Sequence, residues 1–463
     1  MTCSSVAILR SVSATDRVMR REAFGQRIVP KAGSIVAAPE TDLSGGDPDY
    51  FFHWLRDSAL VMDALRLLYR GGRLPDAATI FDDFVAFSLA LNRLDGVSFL
   101  RHARIRETVR QDHLAYLRSD DDLMHAAGEA LPGEVRFNPD GTLDIVRWNR
   151  PQNDGPALRA LSLLRWRESG LFGEVAAQLL AQDLAFVERH WAEPCYDLWE
   201  EKLGHHDYTR LVQMAALEDG AAWMAETGKS QQAQRLHSAA HALREELDRH
   251  WSAEEGCYRS RSDAPRGAGD RALDTSVVLA VLHANRGEGA HSVLDPKVHA
   301  TFDKLEELFT AEYRINAALP AGRGPAMGRY AGDRYVSGGA WYMTTLAAAE
   351  FFYRLAGRVA QGCSLECSAD NASFLVRVLK SRPTGSRLPS EEIDRAALTD
   401  ALLGRGDAFM TTVRDYTPDS GELSEQFDRT TGRQTSAKNL AWSYAAFITA
   451  YEARRRATSP KSA

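Results

Sequence analysis

The stretch Asp57-Ser58-Ala59-Leu60-Val61-Met62-Asp63-Ala64-Leu65-Arg66-Leu67-Leu68-Tyr69-Arg70-Gly71-Gly72 sets Val61, Leu65 and Leu68 at the spacing of one helical face and closes on paired glycines. Asp57 reads as the cap of this helix. Pro75-Asp76 opens a second one with Ile80, Phe84, Phe87 and Leu91 inward. Two amphipathic helices joined by so short a turn make a hairpin. The pairing recurs: Asp154 opens a helix with Pro156 in its first turn and Leu158, Leu161 and Leu164 on one face. Leu180, Leu184, Val187 and Trp191 mark the next, which stops at Pro194. Working outward, the spacing predicts helices over 208–226, 230–250, 274–285, 296–312, 338–357, 390–403, 406–416 and 436–455, and no run alternates with period two.

About a dozen helices in hairpins, with no interior linker, predict a single all-α unit. The absence of a fixed repeat favours a closed helical toroid over an open solenoid. Residues 1–13 and the tail 456–463, beyond the Arg454–Arg456 run, are expected to be loosely ordered around one domain at 14–455. The chain has 463 residues, 44% hydrophobic and 26% charged, which suits a globular protein and excludes disorder. A net charge of −7 offers no basic field, so nucleic acid is not an expected partner. The N-terminal apolar run breaks at Arg10, too early for a signal peptide, and no stretch suits a bilayer; a cytoplasmic location without membrane partner is expected. Five scattered cysteines read as reduced thiols. His237 and His241 share a helix face without a third ligand, so no metal site is expected. No phosphate loop or nucleophile elbow appears, so no cofactor is expected either.

Four segments break the helical pattern and concentrate aromatic and charged residues. The first, Asp49 to Asp57, combines Tyr50 and Trp54 with Arg56-Asp57, a composition that stacks on sugar faces and binds hydroxyls; it also reads as an ordinary capped helix start. The second runs from Arg147 through Trp148 to Pro156. The third, Tyr196 to Glu201, sets Glu200 and Glu201 beside Trp199. An apolar ring and a neighbouring charge would keep one carboxyl protonated, as a general acid requires, while the competing reading has both glutamates begin a helix. The fourth, Leu423 to Asp428 followed by Thr435 to Tyr444, puts Glu425 among hydroxyl and amide groups that would orient and ionise it. Two carboxylates from distant loops are the minimum for glycosidic cleavage.

In order and wording the segments resemble the glucoamylases of glycoside hydrolase family 15 over roughly residues 30 to 455. The motifs are Asp49-Tyr50-Phe51 with Trp54-Leu55-Arg56-Asp57, Arg150 to Ala160, Asp197 to Glu201, Gly328-Arg329-Tyr330-Ala331-Gly332-Asp333, and Ser424 to Gln426 with Ser436 to Ala445. The resemblance implies an (α/α)6 barrel, Glu200 as general acid and Glu425 as general base. It places Arg56 and Asp57 on hydroxyls of a terminal glucose, Tyr50 and Trp54 around that subsite, and Glu201 and Arg329 at the first two sugar positions. Trp148 would pack beside the acid and Ser436 would hydrogen-bond Glu425, with Trp199 and Trp341 completing the substrate-binding set. It further implies an exo-acting, inverting hydrolase that frees β-glucose from α-1,4 glucans or maltooligosaccharides, with α-1,6 glucans as a secondary substrate class. A trehalase or glucodextranase of the same family is the alternative, and a non-catalytic glucan-binding regulator the more distant one. Two departures touch the outer subsites: Gly338-Gly339-Ala340-Trp341 replaces Gly-Asn-Pro-Trp, and Leu203 replaces a usual Asn. No starch-binding module is expected, which favours soluble oligosaccharides over starch granules.

Overall fold

A computed structural model describes residues 2–40, 46–264, 271–381, 386–388 and 395–459. Twelve helices build its frame: α1 (Thr2–Leu9), α2 (Leu55–Arg70), α3 (Ala77–Leu91), α4 (Asp154–Arg167), α5 (Glu174–His190), α6 (Asp207–Glu226), α7 (Ser230–Asp248), α8 (Ser276–Ala284), α9 (Pro296–Glu312), α10 (Tyr342–Ala360), α11 (Arg395–Asp415) and α12 (Ala441–Thr458). Helix α2 packs on α4, α4 on α6, α6 on α8, α8 on α10, α10 on α12, and α12 returns to α2, so six helices close an inner ring. Helices α3, α5, α7, α9 and α11 each follow an inner helix and lie outside it. The architecture is the expected (α/α)6 barrel.

Composition sorts the two rings. The inner α10 is buried without interruption from Tyr342 to Tyr353, and α6 from Asp207 to Leu217, with Ala347-Ala348-Ala349 and Ala215-Ala216 letting neighbours approach. The outer α7 buries only Ala233, Leu236, Ala239, Ala240, Leu243 and Leu247, a stripe at three-and-four spacing. Only an inner helix has apolar partners on every side.

Several expectations need correction. The N-terminal stretch expected to be loosely ordered carries a helix from Thr2: α1 packs on α12 as the sixth outer helix, with Ile8 fully buried. Helix α12 continues through Thr458 into the expected tail, of which 460–463 lie outside the described residues. The separate helices expected over 390–403 and 406–416 are one helix from Arg395, and 390–394 lie outside the described residues. Asp57 is not a cap, since α2 starts at Leu55 and Asp57 sits in its first turn. The connection from 92 to 153, for which no element was expected, carries short helices at Gly96–Ala103 and Asp120–His125 over a small core of Leu117, Leu123, Leu131, Phe137 and Leu143.

Because each outer helix brings the chain back, all inner helices run the same way and their N-termini share one end of the barrel. Short two-residue strands brace the loops there. His53–Trp54 pairs with Arg136–Phe137, Cys195–Tyr196 with Leu203–Gly204, and Gln426–Phe427 with both Ala340–Trp341 and Gln434–Thr435.

Candidate active site

At that end opens a cavity of about 680 Å³. The starts of three inner helices supply Arg56 and Asp57, Met343, and Trp442, and the braced loops supply the remaining wall. Tyr50, Trp54, Arg56, Asp57, Trp148, Trp199, Glu200, Glu201, Arg329, Trp341 and Glu425 all line it. Ser436 stands behind the wall and donates its hydroxyl to Glu425 Oε2.

Glu200 does not begin a helix. It occupies the tip of the hairpin between Cys195–Tyr196 and Leu203–Gly204, at φ 66°, a left-handed conformation that costs a non-glycine residue energy and turns its side chain into the cavity. Asp197 holds the tip: its carbonyl accepts from Glu200 N at 2.9 Å and its Oδ1 from Glu201 N at 2.6 Å. The Glu200 carboxylate meets donors rather than the face of Trp199. Oε1 accepts from Trp54 Nε1 at 2.8 Å and from an Arg56 Nη at 2.7 Å, and Oε2 accepts from Trp148 Nε1. Trp199 instead sends its own indole N–H to Asp274, 3.0 Å from each oxygen, which locks the wall below the tip.

Glu425 lies at the edge of the small three-stranded sheet, which also fixes Trp341 opposite Gln426. Its backbone N–H reaches Ala437 O at 2.8 Å. The expected hydroxyl and amide groups do favour its ionised form, but burial outweighs them. The residue is 3% exposed, and removal from water raises its carboxyl to about 7 despite the Ser436 and Tyr50 hydroxyls and the charge of Arg329. Ser436, like Glu200, is left-handed at φ 66°.

Between the two carboxylates Tyr50 and Tyr335 share a 2.6 Å hydrogen bond, and burial with the charge of Glu425 holds both phenols protonated. Asp57 is pushed up to about 6 by burial, against the lowering effect of Arg56. Glu201 accepts from Arg329 at 3.0 Å, from the Tyr330 hydroxyl at 2.5 Å and from Arg271. Arg329 is gripped by Asp333 at 2.7 and 2.5 Å and packs 5.0–5.4 Å from the ring centres of Trp199, Tyr330, Tyr335 and Trp341. An Arg fixed on both sides presents donors in constant positions, which suits hydroxyl recognition.

Sequence reasoning missed Tyr335, five residues beyond Tyr330 in a motif already noted, and the rim formed by Arg118, Ser119 and Asp122 in the unread connection. Neither departure empties a wall. Trp341 is in place, and at Gly339 a β-carbon would fall 2.4 Å from Phe427 O, so the sheet leaves no room for a side chain. Leu203 is half exposed and does not line the cavity. His206 does not either; its ring lies 2.9 Å from Lys202 O.

A model of the glycosyl hydrolases family 15 matches residues 25–452. A glucoamylase of Blastobotrys adeninivorans is 30% identical over 458 residues, covering 93% of this chain and 68% of that protein. Glucoamylase P of Amorphotheca resinae is 31% identical over 460 residues, with 93% and 66% covered. Among solved structures, the family 15 glucoamylase from Hypocrea jecorina aligns at TM-score 0.80 and 27% identity over 99% of this chain and 74% of that one. The family match runs through every segment that lines the cavity, from Ala37 to Trp442, and so includes both carboxylates: the chain belongs to glycosyl hydrolase family 15 and is a glycoside hydrolase.

Proposed function

We propose that this enzyme releases glucose from the non-reducing ends of α-glucans and maltooligosaccharides by direct displacement with inversion, Glu200 protonating the leaving oxygen and Glu425 activating water. One observation carries the reading: Glu200 and Glu425 come from separate braced loops and line the same cavity over the inner helix starts. The glucoamylase names of its relatives support the substrate class.

The roles follow from the surroundings. A base with its carboxyl near 7 accepts a proton more readily than an ordinary glutamate, and Ser436 aims it. Trp54 and Arg56 fix Glu200 Oε1, which restricts where its proton can be delivered. Arg56 and Asp57 at the cavity floor bind hydroxyls of the terminal glucose, Tyr50 and Trp54 shape that subsite, and Glu201 with Arg329 serves the first two sugars. Trp148, Trp199 and Trp341 offer ring faces and edges to the chain. No described helix is long and apolar enough to cross a membrane. The free thiols Cys195, Cys363 and Cys367 support a reducing compartment such as the cytoplasm.

Proton NMR of maltotriose hydrolysis in its first minutes tests the mechanism. The β-anomeric signal of glucose should lead, since an inverting site holds acid and base roughly 6.5–9.5 Å apart with water between. Initial α-glucose, or a glucosyl ester on Glu425, overturns it. Release from maltose and maltotriose with none from trehalose tests the substrate class, and release from isomaltose or dextran extends it to α-1,6 linkages.

A further inference from the structure

We infer that Asp154 is a positioning residue that shares the Arg56 guanidinium with Glu200 and thereby sets how strongly the general acid holds its proton. The inference rests on the acid role given to Glu200 above.

The geometry is a three-part relay. One Arg56 Nη donates to Asp154 Oδ2 at 2.8 Å and to Gln152 Oε1 at 3.0 Å, while the other donates to Glu200 Oε1 at 2.7 Å. The Asp154 side chain is 1% exposed and that of Arg56 5%, so water screens neither. Asp154 is the first residue of α4, where the helix end favours a carboxylate, and Gln152 is held by its backbone N–H to Gly133 O at 3.1 Å. The Arg-Pro-Gln-Asn-Asp run that the sequence singled out thus reaches the acid only through Arg56. A guanidinium divided between two carboxylates gives each less than its full charge. Other groups act on Glu200 as well: Asp57 beside Arg56, Arg136 behind Trp148, the Tyr50–Tyr335 pair, and the indole donors of Trp54 and Trp148. Only Asp154 and Gln152 reach it by drawing on the Arg56 nitrogen opposite.

Two nearly isosteric substitutions of opposite sign test this. Asp154→Asn keeps an acceptor oxygen and removes the charge, so Arg56 acts more fully on Glu200. The alkaline limb of kcat against pH, on maltotriose, should move down by about one unit. Gln152→Glu adds a charge to the same nitrogen and should move that limb up. The acidic limb, belonging to Glu425, should stay where it is in both. If Asp154 only stabilises the fold, Asp154→Asn lowers the melting temperature and kcat with both limbs unmoved, and the inference fails. It also fails if the two variants shift the limb in the same direction, or if only one shifts it. Should Asp154→Asn not fold, Gln152→Glu decides alone. Glu200→Gln separates the levels: a persisting alkaline limb in that variant defeats the acid assignment itself, whereas a limb lost there but unmoved in the other two defeats only the relay.

Discussion

The two walls of the cavity give one residue type opposite settings. On the hairpin, Glu200 meets two indole N–H groups and a guanidinium and keeps 12% of its side chain open to solvent. On the sheet edge, Glu425 has the Ser436 hydroxyl, the Tyr50 hydroxyl and a Gln426 amide at 3.5 Å, and almost no solvent. Desolvation therefore dominates at Glu425 and lifts it to about 7, while at Glu200 the donors are in immediate contact. The same residue type thus faces three N–H donors on one wall and a closed, nearly dry surface on the other.

The comparison breaks most decisively at the carboxylates. Glu425→Gln and Glu200→Gln should each lower kcat on maltotriose by about 100- to 10,000-fold, with Glu425→Gln also removing the acidic limb. A variant within tenfold of the parent would exclude that residue from the chemistry. Ser436→Ala sharpens the buried side. A hydroxyl that donates to a carboxylate favours the ionised form, so its loss raises Glu425 further. Because a base works ionised, the rate should then rise with pH only above a limb moved up by about half to one unit. Assayed at pH 6, kcat should drop severalfold, and near the alkaline limb it should match the parent; an unmoved acidic limb would mean that Ser436 does not act on the base. Trp148→Phe probes the open side. It removes one donor from a wall that has others and is more exposed, so a loss of at most about tenfold in kcat/KM is expected, well below that of the carboxylate variants.

The inner and outer helices were legible because burial writes itself into spacing: 296–312 was bounded correctly by Asp295-Pro296, a cap followed by a proline in the first turn. The site residues were legible because aromatic and charged side chains cluster in loops that the helical pattern cannot use. What spacing could not convey was long-range. Helix α1 has too short an apolar run to announce itself, and packing against α12, with Ile8 in the core, holds it in place. Whether Glu200 faced a ring or a set of N–H donors depended on Trp54 and Trp148, far from it in sequence. The raised carboxyl of Glu425 depended on how completely the sheet closed over it, which nearby hydroxyls did not reveal.

The pairing of α1 with α12 has a consequence for how the enzyme comes into being. The inner ring stays open until α12 arrives, some four hundred residues after α2, and Trp442 on the cavity floor arrives with it. A ribosome-bound chain that has not yet released that segment has Glu200 in hand but neither a closed ring nor a floor. Contacts this distant in sequence make the last step of assembly slow relative to the local hairpins, which form as they emerge. Catalytic competence therefore appears at one moment, when the two ends of the chain meet, and a product cut short before residue 441 is inert however well its first eleven frame helices have folded.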